Sequence, residues 1–149
     1  MPLEFVPFDE PEPAEGVVVE FHVANPDDDR ETFAISLTDP PEKLLDADEQ
    51  CTTATRLTFI VGYPFSENFA VTVDSADGFD RGDLFRHVVR IHSAMYEGAT
   101  FSEIENLDNT LVESPRFGTA YHRIQDLVLE DVLLDHRPDQ VLAWVFLGS

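Results

Sequence analysis

The sequence predicts an α+β fold: a single domain in which a mostly antiparallel sheet of about six strands packs against one long helix, about residues 81–97, and a short helix. Three observations support this prediction. Apolar and polar residues alternate in several short segments, as in half-buried strands. One segment instead repeats apolar residues every three or four positions, as amphipathic helices do. The strand segments also follow one another without regularly intervening helices, which disfavours a doubly wound parallel sheet.

The length of 149 residues fits one ordinary domain, and an apolar content of 43% is enough to build a core. Residues 1–15 contain four prolines and five acidic residues, so they are predicted to form an extended acidic arm, with residues 16–149 as the domain. The apolar side chains of the arm provide a means of docking on the domain, and the sequence leaves its order open. These side chains are Leu3, Phe5, Val6 and Phe8.

Two strand pairs are predicted in the first half of the chain. Residues 17–23 and 32–37 form an antiparallel hairpin around a turn rich in Asp and Pro. Residues 53–61 and 68–74 form the second pair, and the polar stretch 38–50 is a loop with a short helical turn. The residues predicted to face inward in the first hairpin are Val17, Val19, Phe21, Val23, Phe33, Ile35 and Leu37.

The long helix has a marked start. Asp80 is predicted as the N-cap and Asp83 as the third helical residue, near the positive end of the helix dipole. Phe79 and Leu84 have the spacing of a hydrophobic staple. One face carries the apolar stripe, and Gly98 is expected to stop the helix. The stripe consists of Leu84, Val88, Ile91 and Met95.

The rest of the chain is predicted from capping and alternation. A short second helix is expected to start at Thr100, with Glu103 completing a capping box. Residues 108–121 are expected to form a loop. Residues 127–134 and 141–147 are expected to form a terminal hairpin, and the last strand is apolar on both faces, so it is predicted to be central or covered by the helix.

Charge excludes several classes of function. The net charge is −21, and 15 of the 30 acidic residues lie in residues 1–50 beside only Arg30 and Lys43. Nucleic-acid phosphates and anionic membrane surfaces attract cationic side chains, so direct binding to either is not expected. A basic protein is the partner that such a charge attracts. The same acidity is also typical of proteins adapted to a high-salt cell interior, and composition leaves both meanings open.

The expected location is cytoplasmic or otherwise intracellular. No apolar run approaches the length of a membrane span, and the first residues lack the basic and apolar regions of a signal peptide. Cys51 is the single cysteine, so no internal disulfide framework exists.

Asp74, Asp77, Asp80 and Asp83 are the candidate metal ligands, because carboxylates around a loop glycine can hold Ca²⁺ or Mg²⁺. The spacing does not match an EF-hand. The favoured interpretation therefore assigns Asp80 and Asp83 to helix capping and leaves Asp74 and Asp77 as turn residues.

Catalytic motifs are weak. His122 lies four residues before Asp126, and such a pair can act as a general base, but no nucleophile motif accompanies it. No phosphate-binding glycine loop occurs, and His87 and His92 are spaced too widely around a helix to share a metal ion. No cofactor is expected, and whether the protein is an enzyme stays uncertain, with a non-enzymatic role favoured.

Three functions remain open. The first is a non-enzymatic acidic module that docks a basic partner or mimics nucleic-acid charge. The second is a small Ca²⁺- or Mg²⁺-dependent ligand-binding protein or enzyme that uses the loop 74–83. The third is a structural protein whose charge reflects only its environment. The sequence does not indicate an oligomeric state.

Overall fold

The structure, a computed structural model, describes residues 3–97, 100–101, 111–113, 116–118 and 122–149. It is an α+β domain with one 15-residue helix among these residues, α1, and 3-10 turns at Pro41–Lys43 and Ile124–Asp126. The strands are β1 Val6–Pro7, β2 Val17–Glu20, β3 His22–Ala24, β4 Thr32–Ser36, β5 Gln50–Thr52, β6 Arg56–Val61, β7 Phe69–Asp74, β8 Phe79–Asp80, β9 Thr100–Phe101, β10 Leu111–Glu113, β11 Val128–His136 and β12 Val141–Gly148, and α1 is Arg81–Met95.

Eight strands form the main sheet, so the expectation of about six was too low. The order is β1-β7-β6-β12-β11, and the far edge of β11 is shared by β2 and β4, with β3 beyond β4. Only β6 and β12 run parallel among the described pairs. One additional strand is β1, which is too short for alternation to detect, and the other arises because the predicted strand 17–23 divides into β2 and β3. Two further pairs, β5–β8 and β9–β10, lie outside the main sheet.

Three predicted strand pairs are confirmed. β6 pairs with β7, β11 pairs with β12, and β3 pairs with β4, all antiparallel. The first predicted strand, however, breaks at Phe21: β2 pairs with β11 and only β3 belongs to the hairpin. Val17 and Phe33 were predicted to face inward but are exposed. Phe33 lies on β4 opposite Val23 of β3, the edge strand of the sheet.

The start of α1 is confirmed. The Asp83 backbone N–H donates to Asp80 Oδ1 at 2.7 Å, and the Asp80 N–H donates to Asp83 Oδ2 at 3.0 Å. Phe79 and Leu84 are both fully buried. The helix ends at Met95 with Tyr96 as its C-cap, two residues before the predicted end.

The short second helix was predicted wrongly at its start. Thr100–Phe101 is a strand that pairs with Leu111–Glu113, and this second strand interrupts the predicted loop 108–121. Gly98 and residues 102–110, where the rest of the helix was predicted, lie outside the described residues.

The main sheet has two unlike faces. One face packs on α1, where the predicted stripe Leu84, Val88, Ile91 and Met95 is fully buried in the main core. The opposite face, here called the outer face, carries a second and smaller cluster. β12 contributes to both faces because it lies between β6 and β11, as predicted for a strand that is apolar on both sides. The outer cluster comprises Ile60, Leu142 and Trp144, packed with Phe8, Ala70, Leu133 and Phe146.

Candidate interaction face

Residues 8–16, here called the strap, cross the outer face. They connect β1 at one end of the sheet to β2 beside β11. This crossing spans about five strand spacings, or roughly 24 Å at ~4.8 Å each, and nine extended residues reach about 30 Å. The strap lies over Trp144: Phe8 packs against its ring edge-on with centroids 5.5 Å apart, and Trp144 is only 3% exposed.

The attachments of the strap are few. β1 pairs with β7 over two residues, and the Phe8 N–H donates to the carbonyl of Asn68 at 3.0 Å. Midway, Arg137 donates to Glu10 at 3.2 Å across a largely exposed ion pair. At its end, Gly16 approaches β11 closely, since an added Cβ would lie 2.8 Å from a methyl of Leu133. Only glycine fits there without a shift of its neighbour.

Before the strap begins, the arm also packs on the face of the sheet that carries α1. Leu3 and Phe5 pack on the main core, and the Phe5 ring lies 4.4 Å from that of Phe117. The arm therefore forms the edge of the sheet as β1, beside β7, and has apolar side chains on both faces. The apolar residues that the sequence offered for docking are used in this way, apart from Val6, which is 50% exposed.

Two of the cavities beside the strap also border the outer cluster. One, of about 680 Å³, is bordered by Phe8 together with Thr58, Ala70 and Leu142 of the outer face. The other, of about 200 Å³, is bordered by Glu12 of the strap and by Ile60, Trp144 and Phe146. The strap thus covers the outer cluster without filling the space next to it. The indole N–H of Trp144 is buried and has no hydrogen-bond partner among the residues that the structure describes, an arrangement that is costly for a polar group.

Carboxylates surround the apolar cluster. Within the strap, Asp9, Glu10, Glu12 and Glu15 are all exposed. On the sheet, Asp131 lies directly across from Glu20 in the β2–β11 register. Burial, with the charges of Glu130 and Glu20 added, raises the pKa of Asp131. Like charges directly opposite on a sheet destabilise it.

The two guanidinium groups described on this face are already engaged. Arg137 bridges Asp135 and Glu10, at 3.0 and 3.2 Å. Arg56 donates to Asp74 at 2.7 Å, and this hydrogen bond holds the pKa of Asp74 below its usual value. The outer face and its strap therefore keep a negative charge around an apolar centre.

Three of the four candidate metal ligands make other interactions in the structure. Asp80 and Asp83 cap α1, and Asp83 also accepts a hydrogen bond from Arg86 at 2.6 Å. Burial tends to raise the pKa of Asp83, but its hydrogen bonds from the Asp80 backbone and Arg86 lower it overall. Asp77 is exposed, and Asp74 pairs with Arg56. In the part of the chain that the structure describes, no three His, Cys, Asp or Glu side chains are grouped to hold a metal ion.

His122 lies next to aromatic groups. Its ring is 5.8 Å from that of Tyr63, and its carbonyl accepts a hydrogen bond from the Tyr96 hydroxyl at 2.6 Å. The Asp126 carboxylate that the sequence paired with His122 instead accepts from the Arg123 backbone at 3.0 Å, at the start of a 3-10 turn.

Sequence reasoning did not find the outer face. The available signals were the apolar residues of the arm and the double-sided apolar pattern of residues 141–147, which we attributed to a central or helix-covered strand. Nothing in either pattern indicated that one segment covers the other.

No known protein family, no curated protein and no solved structure matches this chain. No helix in the described ranges is long and apolar enough to cross a lipid bilayer.

Proposed function

We propose that this protein is a non-enzymatic interaction module that docks a basic protein on the outer face of its sheet. The observation that carries the proposal is the apolar cluster around Trp144, which a thin strap covers in the described part of the chain and which carboxylates surround. Protein interfaces combine an apolar centre with a polar rim in this way. The lone Cys51 is compatible with the intracellular setting that we include in the proposal.

Apolar surface remains available at both margins of this face. Val18 is 56% exposed on β2 and Val6 is 50% exposed on β1. In the β2–β11 register Val18 lies opposite Leu133, which belongs to the outer cluster. A partner that covers this margin gains apolar burial, at about 25 cal/mol per Å² removed from water.

The charges on the face select the partner. Asp131 and Glu20 repel each other across β2 and β11, and a lysine or arginine placed between them would relieve this repulsion. The exposed acids of the strap extend the same field beyond the sheet. Such a field speeds the association of a positively charged partner and makes its rate depend on salt.

Photo-crosslinking at Val18 tests the proposal. A benzoylphenylalanine introduced at Val18 is irradiated in an extract of cells that produce the protein, at low and at high salt. We expect one predominant crosslinked protein with a basic isoelectric point, captured less well as salt increases. The same probe at Thr38, an exposed position beyond β4, serves as the position control.

A matched pair of charge variants sharpens the test. The double variant Glu20→Lys with Asp131→Lys should abolish capture. The double variant Asp27→Lys with Asp29→Lys lies in the exposed turn between β3 and β4 and changes the net charge equally, and it should retain most of the capture. Equal loss in both pairs, or capture of acidic proteins only, would contradict docking on this face.

A salt series decides between docking and environmental adaptation. We expect the protein to be folded at about 20 mM NaCl, where the Debye length is long and self-repulsion is largest. If it unfolds there and needs molar salt, its charge is an adaptation to the cell interior and the proposal loses its electrostatic support.

A further inference from the structure

We infer that the strap is a displaceable cover, and that the partner inserts an extended basic segment in its place, across Trp144. This inference rests on the proposed function and specifies how the outer face would be used. It predicts that the free protein is partly self-blocked by its own residues 8–16.

The strap is held weakly along its length. Its specific polar contacts in the described residues are one backbone hydrogen bond to Asn68 and the exposed ion pair of Glu10 with Arg137, and its apolar anchor is Phe8, which packs on Trp144 and the outer cluster. Exposed ion pairs contribute little to stability. The arm has stronger anchors before the strap, where Leu3 and Phe5 join the main core. Residues 8–16 can therefore lift while the arm stays attached at its beginning and continues into β2 at its end.

The surface below the strap fits it incompletely. Cavities of about 680 and 200 Å³ border it. The indole N–H of Trp144, which lines the smaller cavity, is buried without a partner. A segment with a backbone carbonyl at this position would accept that hydrogen bond. The native contacts thus leave unused both space and a hydrogen-bond donor at the centre of the face.

The chemistry of the displacing segment follows from the side chains that remain on the outer face when the strap lifts. When the strap lifts, Arg137 loses Glu10 but keeps Asp135, and Asp131 and Glu20 remain opposed on the sheet. The exposed surface is then an apolar stripe beside carboxylates. The strap itself shows that an extended chain fits across the strands. An extended segment that alternates apolar and basic side chains complements both features.

The test uses a synthetic peptide of about ten residues that alternates Arg and Leu. Trp144 is the single tryptophan, so its fluorescence and its quenching by acrylamide report directly on the covered site. Peptide affinity is measured at low salt for the wild type, for Phe8→Ala and for Phe33→Ala. The last variant makes the same change at an exposed phenylalanine of β4, away from the strap.

We expect Phe8→Ala to bind the peptide roughly tenfold more tightly than the wild type, because a weaker cover raises the fraction of protein that is competent to bind. Acrylamide should also quench Trp144 more strongly in this variant, while Phe33→Ala should match the wild type in both measurements. Far-ultraviolet circular dichroism of each variant verifies that it is folded.

Unchanged or weaker binding by Phe8→Ala would overturn the inference while leaving docking on top of the strap intact. If neither the wild type nor Phe8→Ala binds the peptide, the inference also fails. The crosslinking at Val18 then tests the proposed function separately.

A second variant examines the hydrogen bond. Trp144→Phe removes the indole N–H while keeping an aromatic ring. It is introduced into Phe8→Ala, where the Phe8–Trp144 contact is already absent, and calorimetric titration should show affinity for the peptide lowered about fivefold relative to Phe8→Ala alone, the usual effect of one lost hydrogen bond. An unchanged affinity would show that the segment does not use this donor, and would overturn the placement of its backbone over Trp144.

Discussion

The two faces of the sheet bury apolar residues by different means. On the helix side, the 15-residue α1 inserts a continuous stripe whose members are fully buried, and a reciprocal capping box fixes where the helix begins. On the outer side, a strap of nine residues leaves cavities beside it and the Trp144 N–H without a partner. The two faces therefore differ in how they are covered: a capped, fully packed helix covers one face, and a thin strap with cavities beside it covers the other.

The largest expected effect contrasts phenylalanines on the two faces. Phe79→Ala should lower the free energy of unfolding by about 3–5 kcal/mol, because Phe79 is fully buried against the main core. Phe8→Ala should lower the free energy of unfolding by only about 1–2 kcal/mol, because Phe8 is only half-buried. Urea unfolding at fixed salt measures both values. Equal losses would show that the strap is as integral to the fold as the helix side.

The second effect concerns His92, which is buried on the helix side. Burial lowers its pKa to about 4, although contacts with the backbone of Val88 and Tyr63 oppose the shift. Its Nδ1–H donates to the Val88 carbonyl at 2.9 Å. The ring is therefore neutral in the folded protein at neutral pH.

Because an unfolded histidine has an ordinary pKa of about 6.5, the unfolded chain takes up this proton first as the pH falls. Above pH 6.5 His92 is neutral in both states and does not change the free energy of unfolding. As the pH falls from 6.5 towards 4, only the unfolded chain is protonated at His92, so the folded state loses stability. Between pH 7 and 5 the loss amounts to about 2 kcal/mol. His92→Gln should lack this part of the pH dependence in urea unfolding. Ser93→Gln, at the exposed neighbouring position, should keep it, and the same pH dependence in both variants would contradict the assignment.

The third effect tests the helix start. Asp80→Ala should lower the free energy of unfolding by about 1 kcal/mol, since it removes the N-cap of α1. Asp77→Ala, at an exposed position in the same loop, should change it by less than about 0.5 kcal/mol. Thermal melts measure both, and a reversed order would contradict the capping role.

Repeating the wild-type melt in millimolar Ca²⁺ or Mg²⁺ tests the metal hypothesis for residues 74–83. A bound ion would raise the melting temperature. An unchanged melt would remove that hypothesis.

The sequence predicted best what local chemistry determines. The capping box of Asp80 and Asp83 and the buried stripe of α1 depend on neighbours within a few residues, so spacing alone identified them. The break at Phe21 was missed because β2 pairs with β11, more than 100 positions away, and no local pattern encodes that pairing. Phe33 was placed inward for a related reason, since alternation cannot show that this part of β4 pairs with the edge strand β3 rather than with β11.

The candidate site was harder to predict than the fold. The outer face joins residues from opposite ends of the chain, with Phe8 on Trp144 and Glu10 on Arg137. In the sequence, each of these is an ordinary apolar or charged residue. Their importance comes only from the crossing of the strap, which follows from β1 and β2 lying on opposite sides of the sheet centre.

The smallest expected effect concerns the carboxylate of Asp131 and tests whether its charge stabilises the fold or favours binding instead. Asp131→Asn should raise the free energy of unfolding by up to about 1 kcal/mol at pH 7, because it removes a like-charge pair across β2 and β11. Since the folded state raises the pKa of Asp131, its carboxylate opposes folding above that pKa. The gain should therefore shrink as the pH falls and Asp131 becomes protonated.

Asp135→Asn is the matched control on the same strand and the same face. It should lower stability instead, because Arg137 donates to this carboxylate at 3.0 Å. Urea unfolding of both variants at pH 7 and pH 4 measures the difference. If both substitutions destabilise equally, Asp131 is satisfied within the free protein. If Asp131→Asn stabilises the free protein but weakens its capture of the basic partner, then this carboxylate opposes folding and favours binding, as expected if the outer face is a docking surface.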